Sequence, residues 1–124
     1  MSTPPRKPAS QVPIINRIRI LHRDLYLIGL KFGKREKLGI HSTVEKYCIE
    51  ILSLAIESAF QINTEKVKPL ERLRINLGII QNLVRTENEL EILNEKEYIR
   101  ISAQLVEISK STNNWLNYVA QKGL

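Results

Sequence analysis

Two histidines and one cysteine are the side chains of this chain most suited to catalysis, but their spacing does not favour it. His22 and His41 lie on different predicted segments, and neither has a sequence partner at the spacing of a metal site or a catalytic triad. Cys48 falls on the inward side of a predicted helix, where a thiol packs as a small hydrophobe. We therefore expect a protein that is not an enzyme and has no cofactor.

The carboxylates offer one enzymatic alternative, a carboxylate metalloprotein. Di-iron bundles use Glu-x-x-His pairs on facing helices, and this chain contains no such pair. Glu45, Glu50 and Glu57 are predicted on the outward side of their helix, and the glutamates over residues 87–97 are predicted to form a solvated turn and the start of a helix. The glycine-containing segment over residues 33–39, GKREKLG, lacks the preceding strand that a phosphate-binding loop needs.

Positive charge is concentrated in two parts of the chain. The 19 Lys and Arg residues against 13 Asp and Glu residues give a net charge of +6. Residues 1–37 carry nine basic and two acidic side chains (+7), and residues 65–85 carry five and two (+3). Residues 38–64 and residues 86–124 are each −2. This segregation favours a polyanionic partner, and the alternative is a merely solubilising surface.

The basic side chains that could contact a nucleic-acid backbone lie on the first predicted helix, on the loop after it and on the third predicted helix. They are Arg17, Arg19, Arg23, Lys31, Lys34, Arg35, Lys37, Arg72, Arg74 and Arg85. Arginine suits bidentate contacts to phosphate. These residues lack the regularly interleaved aromatic side chains that a stacking platform for bases would require. We therefore expect RNA or DNA to be bound through its phosphates, with strong salt dependence and weak sequence selectivity.

Apolar spacing of three and four residues predicts helices over residues 13–32, 42–61, 65–87 and 95–121. Their short connections predict an all-α fold, an up-down-up-down antiparallel four-helix bundle over residues 13–124. A disordered, basic, proline-rich tail is expected over residues 1–12. The core is predicted from the inward stripes, which are Ile14, Ile18, Leu21, Leu25, Ile28 and Phe32; Val44, Tyr47, Cys48, Ile51, Ala55, Ser58 and Ile62; Leu70, Leu73, Leu77, Ile80 and Val84; and Tyr98, Ile101, Leu105, Ile108, Thr112, Leu116 and Val119.

The predicted ends of these helices rest on local signals. Pro13 suits a first turn, and Gly33 suits a helix stop. Ser42 with Glu45 has the spacing of a capping box. Thr64 and Asn94 are the expected caps of the last two helices. Of the aromatic residues near the end of the chain, Trp115 is predicted in or at the edge of the core, and Tyr118 away from it.

The second and third predicted helices each carry a second apolar stripe. Ile75, Ile79 and Leu83 step by four along nearly the opposite side of the third helix from its core stripe. On the second helix Ile49, Ile56 and Phe60, spaced by seven and four residues, form a similar second stripe. One stripe builds a core, and contiguous exposed apolar surface is uncommon on monomers. These six residues are therefore the predicted contact surface of a homo-oligomer.

Membrane insertion is not expected. No apolar run approaches the roughly 20 residues that span a bilayer, and the segment that follows the first charges is not the apolar core of a secretory signal. With one cysteine and no internal disulfide, we expect a cytoplasmic protein.

Three segments carry a resemblance that covers about residues 16–121. They are KFGKREKLGIHSTVEKYCIEILSLAIESAF, KPLERLRINLGIIQNLVR and EYIRISAQLVEISKSTNNWLNYV. In these segments the chain resembles the accessory variability determinant proteins of diversity-generating retroelements. That group lies in a wider four-helix-bundle family, which includes proteins encoded by insertions in large-subunit ribosomal RNA genes. In the last segment Glu107, Ile108 and Trp115 match the family pattern. Ser109 and Lys110 replace its Gly-Arg, and Asn113 and Asn114 replace its glycine pair.

The resemblance implies a positively charged barrel of five identical bundles with a central channel. It also implies a reverse transcriptase partner and association with template RNA during mutagenic complementary-DNA synthesis. Arg85 matches one of the family's functional arginines on the third helix, whereas Gln81 stands where a second arginine is frequent. The alternative is a bundle protein of the ribosomal-RNA-insertion type, acting as an oligomeric structural or RNA-associated module.

Overall fold

The computed structural model describes residues 11–122, and the side chains of residues 13–121. Its elements are α1 (Gln11–Gly29), α2 (Lys34–Leu38), α3 (Ile40–Phe60), α4 (Asn63–Glu89) and α5 (Glu95–Lys122). No strand occurs among the described residues, so the predicted all-α fold class is confirmed. Residues 1–10 of the predicted tail and Gly123 lie outside the described residues.

The four long helices pack around one core. α3 contacts α1 and α4, α5 contacts α4 and α1, and the short α2 lies against α3. The core stripes predicted from the sequence are largely confirmed, because the buried apolar residues follow them closely. They are Ile14, Ile18, Leu21, Leu25, Ile28, Val44, Cys48, Ile51, Leu54, Ala55, Leu70, Leu73, Leu77, Ile80, Val84, Leu93, Ile101, Leu105, Ile108, Trp115 and Val119. Ile62 is an error in the prediction, since it is 69% exposed at the junction between α3 and α4.

The first helix differs from its predicted span at both ends. α1 begins two residues before Pro13, which then stands at the third helical position, where its missing N–H is still harmless. It ends at Gly29 and continues as hydrogen-bonded turns to Phe32. Gly33 is therefore the N-cap of the extra helix α2, rather than the stop of α1. The connection GKREKLG is thus partly helical, although α2 buries no side chain.

The predicted caps of α3 and α4 are wrong, whereas that of α5 is confirmed. α3 begins at Ile40 after Gly39, with no capping side chain, so Ser42 lies inside the helix and cannot form a capping box. α4 is preceded by Ile62, so Thr64 is helical. At α5, the Glu97 N–H donates to Asn94 Oδ1 at 2.8 Å. This bond satisfies one of the free donors at the start of the helix.

No helix among residues 11–122 combines the length and the apolarity needed to cross a lipid bilayer.

Candidate nucleic-acid interface

The arginines of α1 are tied into contacts within the protein. Arg17 Nη1 donates to Ser111 Oγ at 2.8 Å, and Arg19 Nη2 donates to Asn16 Oδ1 at 2.9 Å. Arg23 pairs with the buried Asp24 at 3.2 Å. These contacts leave the three predicted phosphate ligands on α1 partly engaged before any partner arrives.

Asp24 is the centre of a network that joins α1 to α5. Besides Arg23, its carboxylate accepts from Arg100 on α5 at 3.4 Å and from Gln104 at 2.9 Å. Arg100 is also paired with Glu97, whose hydrogen bond is the chief reason that the pKa of Arg100 is raised above its ordinary value. Sequence spacing gave no signal for this α1–α5 contact, because Asp24 and Arg100 are 76 positions apart.

A second set of cations lies on the basic segment, which we define as residues 31–37. Lys31, Lys34, Arg35 and Lys37 are all exposed there. No ion pair to these four is found within the described part of the chain. Since α2 buries no side chain, the segment presents its charge to solvent at the junction between α1 and α3.

The third set lies on α4, whose two flanks differ in chemistry. Arg72 approaches Glu50 of α3 at 3.8 Å, which places it on the flank next to α3. Ile79 is seven residues further on and shares that flank, as helical periodicity requires. Arg85 and Gln81, one turn apart, instead line a groove against α5. The flank toward α3 is therefore apolar with a paired arginine, and the flank toward α5 is polar and basic.

The α4/α5 groove has a volume of about 310 Å³ and is lined by Gln81, Asn82, Arg85, Tyr98, Ser102, Leu105 and Val106. No carboxylate lines it, so the guanidinium, amide and hydroxyl groups can donate to an anion. One N–H of the Asn82 amide is already used, because the nitrogen donates to the Gly78 carbonyl at 2.8 Å. A phosphate or a carboxylate is the ligand that this set of donors fits.

The predicted oligomer surface, which we call the α3/α4 apolar face, consists of Ile49, Ile56, Phe60, Ile75, Ile79 and Leu83. The first four are 54%, 40%, 80% and 61% exposed, respectively. Ile79 is half-buried, and Leu83 is half-buried against the core. Further large apolar side chains are exposed elsewhere, among them Leu27 on α1 and Ile99 on α5, which the sequence analysis did not single out.

The structure reveals a buried contact between a histidine and a glutamate that sequence spacing did not indicate. His41 is fully buried, and its Nδ1 lies 2.8 Å from Glu87 Oε2, while its Nε2 donates to the Leu25 carbonyl at 2.7 Å. Glu87 is also fully buried, so its prediction as part of a solvated turn is wrong. Glu45, predicted to point outward, lies 3.4 Å from His41 Nε2 and is half-buried. The residues that meet here are 46 positions apart, which is why spacing gave no signal.

The protonation of His41 is governed by the groups around it. Burial alone disfavours the imidazolium and lowers the pKa of His41. The hydrogen bond with Glu87, the Leu25 carbonyl and the charges of Glu87 and Glu45 outweigh burial, so the pKa of His41 is raised above 6.5. His41 is fully buried, and its two ring nitrogens contact groups of α1 and α4, so the side chain links three helices.

Cys48 behaves as a core residue, in line with its sequence position. It is fully buried, and burial raises the pKa of its thiol to about 12, so that it is not a thiolate at neutral pH. Among the described residues no group of three His, Cys, Asp or Glu side chains could hold a metal ion.

No protein-family model, no curated protein and no solved structure matches this chain.

Proposed function

We propose that the chain is an accessory protein of a diversity-generating retroelement. In this proposal it is non-enzymatic and works in the cytoplasm. Its four long helices alternate up and down, and identical bundles assemble through their apolar faces into a basic pentameric barrel. The barrel binds the partner reverse transcriptase together with template RNA or complementary DNA, in support of mutagenic reverse transcription. The resemblance stated above supplies the names of these partners, and the surfaces of α3 and α4 support a protein of this kind.

The observation that carries the proposal is the division of α4 into two functional flanks. Ile75, 61% exposed, continues the α3/α4 apolar face, which would remain in water in a monomer. The opposite flank carries Arg85 in a groove that contains donors and no carboxylate. A helix built this way can join a neighbouring copy on one side and a polyanion on the other.

The basic segment supports nucleic-acid contact at a second place. Its four cations are exposed and lie close together in sequence, so their field adds to that of Arg85 on association with a polyanion. Since few aromatic side chains accompany them, phosphates rather than bases would be contacted. We expect binding that tolerates many sequences and falls steeply with salt.

The alternative is an oligomeric bundle of the ribosomal-RNA-insertion type with no polymerase partner. The same apolar face and the same basic groups would serve that role. The gene context distinguishes the two: an adjacent reverse transcriptase with a template repeat favours the first, and a location inside a ribosomal RNA gene favours the second.

The direct test has two parts. Sedimentation equilibrium at micromolar concentration should give a closed oligomer, and fluorescence anisotropy at low salt should show binding of a labelled single-stranded RNA. A stable monomer would overturn the assembly, and absence of binding to both RNA and DNA would overturn the nucleic-acid role. Pull-down of a reverse transcriptase encoded beside the gene then separates the proposed function from its alternative.

A further inference from the structure

His41 lies where three helix junctions meet. It is the second residue of α3, its Nε2 donates to the Leu25 carbonyl in the last turns of α1, and its Nδ1 contacts Glu87 near the end of α4. The Glu87 carbonyl in turn accepts from the backbone N–H groups of Ile92 and Leu93, which form the turn into α5. One buried imidazole thus connects the ends of α1 and α4 to the start of α3.

The basic segment begins directly beside this imidazole. Phe32 packs edge-to-face on the His41 ring, with a centroid distance of 4.7 Å and an interplanar angle of 77°. A Cβ at Gly29 would stand only 2.6 Å from His41 Cδ2, so the backbone of α1 approaches the ring as closely as it can. α2 buries no side chain, and it is attached at one end to Phe32, which packs on the His41 ring, and at the other to the start of α3, which contains His41.

The hydrogen bonds of His41 require two protons on the ring when Glu87 is ionised. The Leu25 carbonyl can only accept, so Nε2 carries a hydrogen. The Glu87 carboxylate is likewise an acceptor, so Nδ1 must donate to it. If Nδ1 lost its proton, its lone pair would face a buried carboxylate whose other oxygen, Oε1, has no hydrogen-bond partner among the described residues. A buried carboxylate without a donor is strongly unfavourable.

We propose that His41, Glu87 and the Leu25 carbonyl form a proton-dependent latch that fixes the basic segment, and that loss of a proton from His41 releases the segment. The charged side chains facing the ring are Glu87 from α4 and Glu45 from α3, whereas α1 contributes the Leu25 carbonyl and the connection to α2 contributes Phe32. Both carboxylates favour the imidazolium, so the latch is closed at pH values below the raised pKa of His41 and opens as the pH rises through it. The latch stands independently of the proposed function, and only its effect on nucleic-acid affinity rests on that function.

Nuclear magnetic resonance can follow the latch directly. In a His22→Gln variant, His41 is the one histidine of the chain, so its ring nitrogens can be titrated between about pH 6 and 9, around the ordinary value for histidine. We expect the ring to titrate with a midpoint above 6.5 and the backbone amides of Phe32, Gly33 and Lys34 to shift with that same midpoint. A ring that titrates while these amides stay unchanged would overturn the proposal.

Glu87→Gln is the matched variant. Its amide can donate to Nδ1 of a neutral imidazole, so the latch no longer needs the proton, and the amides of the basic segment should become insensitive to pH. Equal alkaline shifts in this variant and in the parent would overturn the proposal. If Glu87→Gln does not fold, Glu45→Gln serves instead, because it removes a half-buried carboxylate while leaving the buried pair intact. It should lower the midpoints of the ring and of the amides together, and a change in only one of them would count against coupling.

Anisotropy with a single-stranded RNA at about pH 6.5 and pH 8.5 adds the functional readout. Affinity of the parent should fall several-fold at the higher pH, and that of Glu87→Gln should change less. A coupled NMR titration without any RNA binding would retain the latch and overturn the nucleic-acid role. An RNA affinity with the same pH dependence in both proteins would overturn the release of the segment.

Discussion

The ammonium nitrogen of Lys66 lies 5.7 Å from the centroid of the Trp115 ring and donates to the Ser58 carbonyl at 2.6 Å. The lysine is 5% exposed and the tryptophan is fully buried. Ser58 is in the last turn of α3, so the cation also lies at the negative end of that helix dipole. One side chain of α4 thereby links the end of α3 to α5.

Replacing this lysine should therefore destabilise the fold. We expect Lys66→Met to lower the free energy of unfolding by about 1–3 kcal/mol, because it removes a charge-assisted hydrogen bond and leaves a buried carbonyl without it. Urea unfolding followed by the fluorescence of Trp115 measures the change. Lys68→Met is the control, since Lys68 is exposed on the same helix and should change stability little. Equal losses in the two variants would contradict this role of Lys66.

Two glycines provide opposite expectations for the same substitution. A Cβ at Gly78, in the middle of α4, meets no atom within 4 Å, so Gly78→Ala should stabilise the isolated chain by about 0.5–1 kcal/mol through helix propensity. A Cβ at Gly29 would clash with the His41 ring, and Gly29→Ala should destabilise. Thermal unfolding of both variants at low protein concentration checks this. Stabilisation by Gly29→Ala would mean that the ring moves aside freely.

The stability of the protein should depend on pH through His41. Its pKa in the folded state is raised above the unfolded value of 6.5, so its contribution is complete below that value. The contribution is lost as pH rises through the folded-state pKa. Urea unfolding at about pH 6 and about pH 9 should show the parent losing more stability than Glu87→Gln at the higher pH. If Glu87→Gln lost more stability than the parent at the higher pH, the direction assigned to the pKa shift of His41 would be wrong.

A charge on the α3/α4 apolar face should prevent assembly. We expect Ile75→Asp to shift the protein to monomer in sedimentation equilibrium while its helical circular dichroism is retained, because a buried aspartate at an interface would lack a partner. Ile99→Asp is a closely matched control, since Ile99 is 60% exposed on α5 and Ile75 is 61% exposed on α4. If only Ile99→Asp dissociated the oligomer, the interface would lie on α5 and not on the α3/α4 apolar face.

Arg85 and Arg72 test the two flanks of α4. Arg85→Gln should weaken binding of single-stranded RNA and reduce the slope of log affinity against log salt by about 0.7, the value for one phosphate contact. Arg72→Gln should have a smaller effect, because Arg72 lies near Glu50 on the other flank. Anisotropy titrations at several salt concentrations give both quantities. Equal effects of the two changes would indicate diffuse charge rather than a site in the groove.

Periodic apolar residues made the helices and most of the core predictable. Ile14, Leu73 and Ile101 fall on stripes that are read within one helix, and Asn94 caps α5 through a bond only three residues long. The predicted capping box at Ser42 is wrong because α3 already begins at Ile40, and a local rule cannot weigh competing helix starts. The core stripe of α3 ends with the helix at Phe60, so Ile62 continues the spacing of the stripe but lies outside the helix and is exposed.

The buried polar contacts could not be predicted from spacing. Two of these contacts, His41 with Glu87 and Lys66 with Trp115, join residues from different helices. Their burial depends on how the helices pack. Charged residues are rarely buried unless paired, so a sequence favours solvent for each of them taken singly. The sequence identifies the candidate cations but not their contacts. In the structure Arg17 contacts α5 and Arg23 contacts Asp24, whereas Arg85 faces a groove.

Cys48 has a practical consequence. It is the one thiol of the chain, it is fully buried between α3 and the Ile18 carbonyl of α1, and burial holds it in the unreactive form. A maleimide or disulfide reagent can therefore modify it only after these two helices separate. The rate of labelling therefore measures how often the α1–α3 contact opens, and the measurement needs no engineered cysteine.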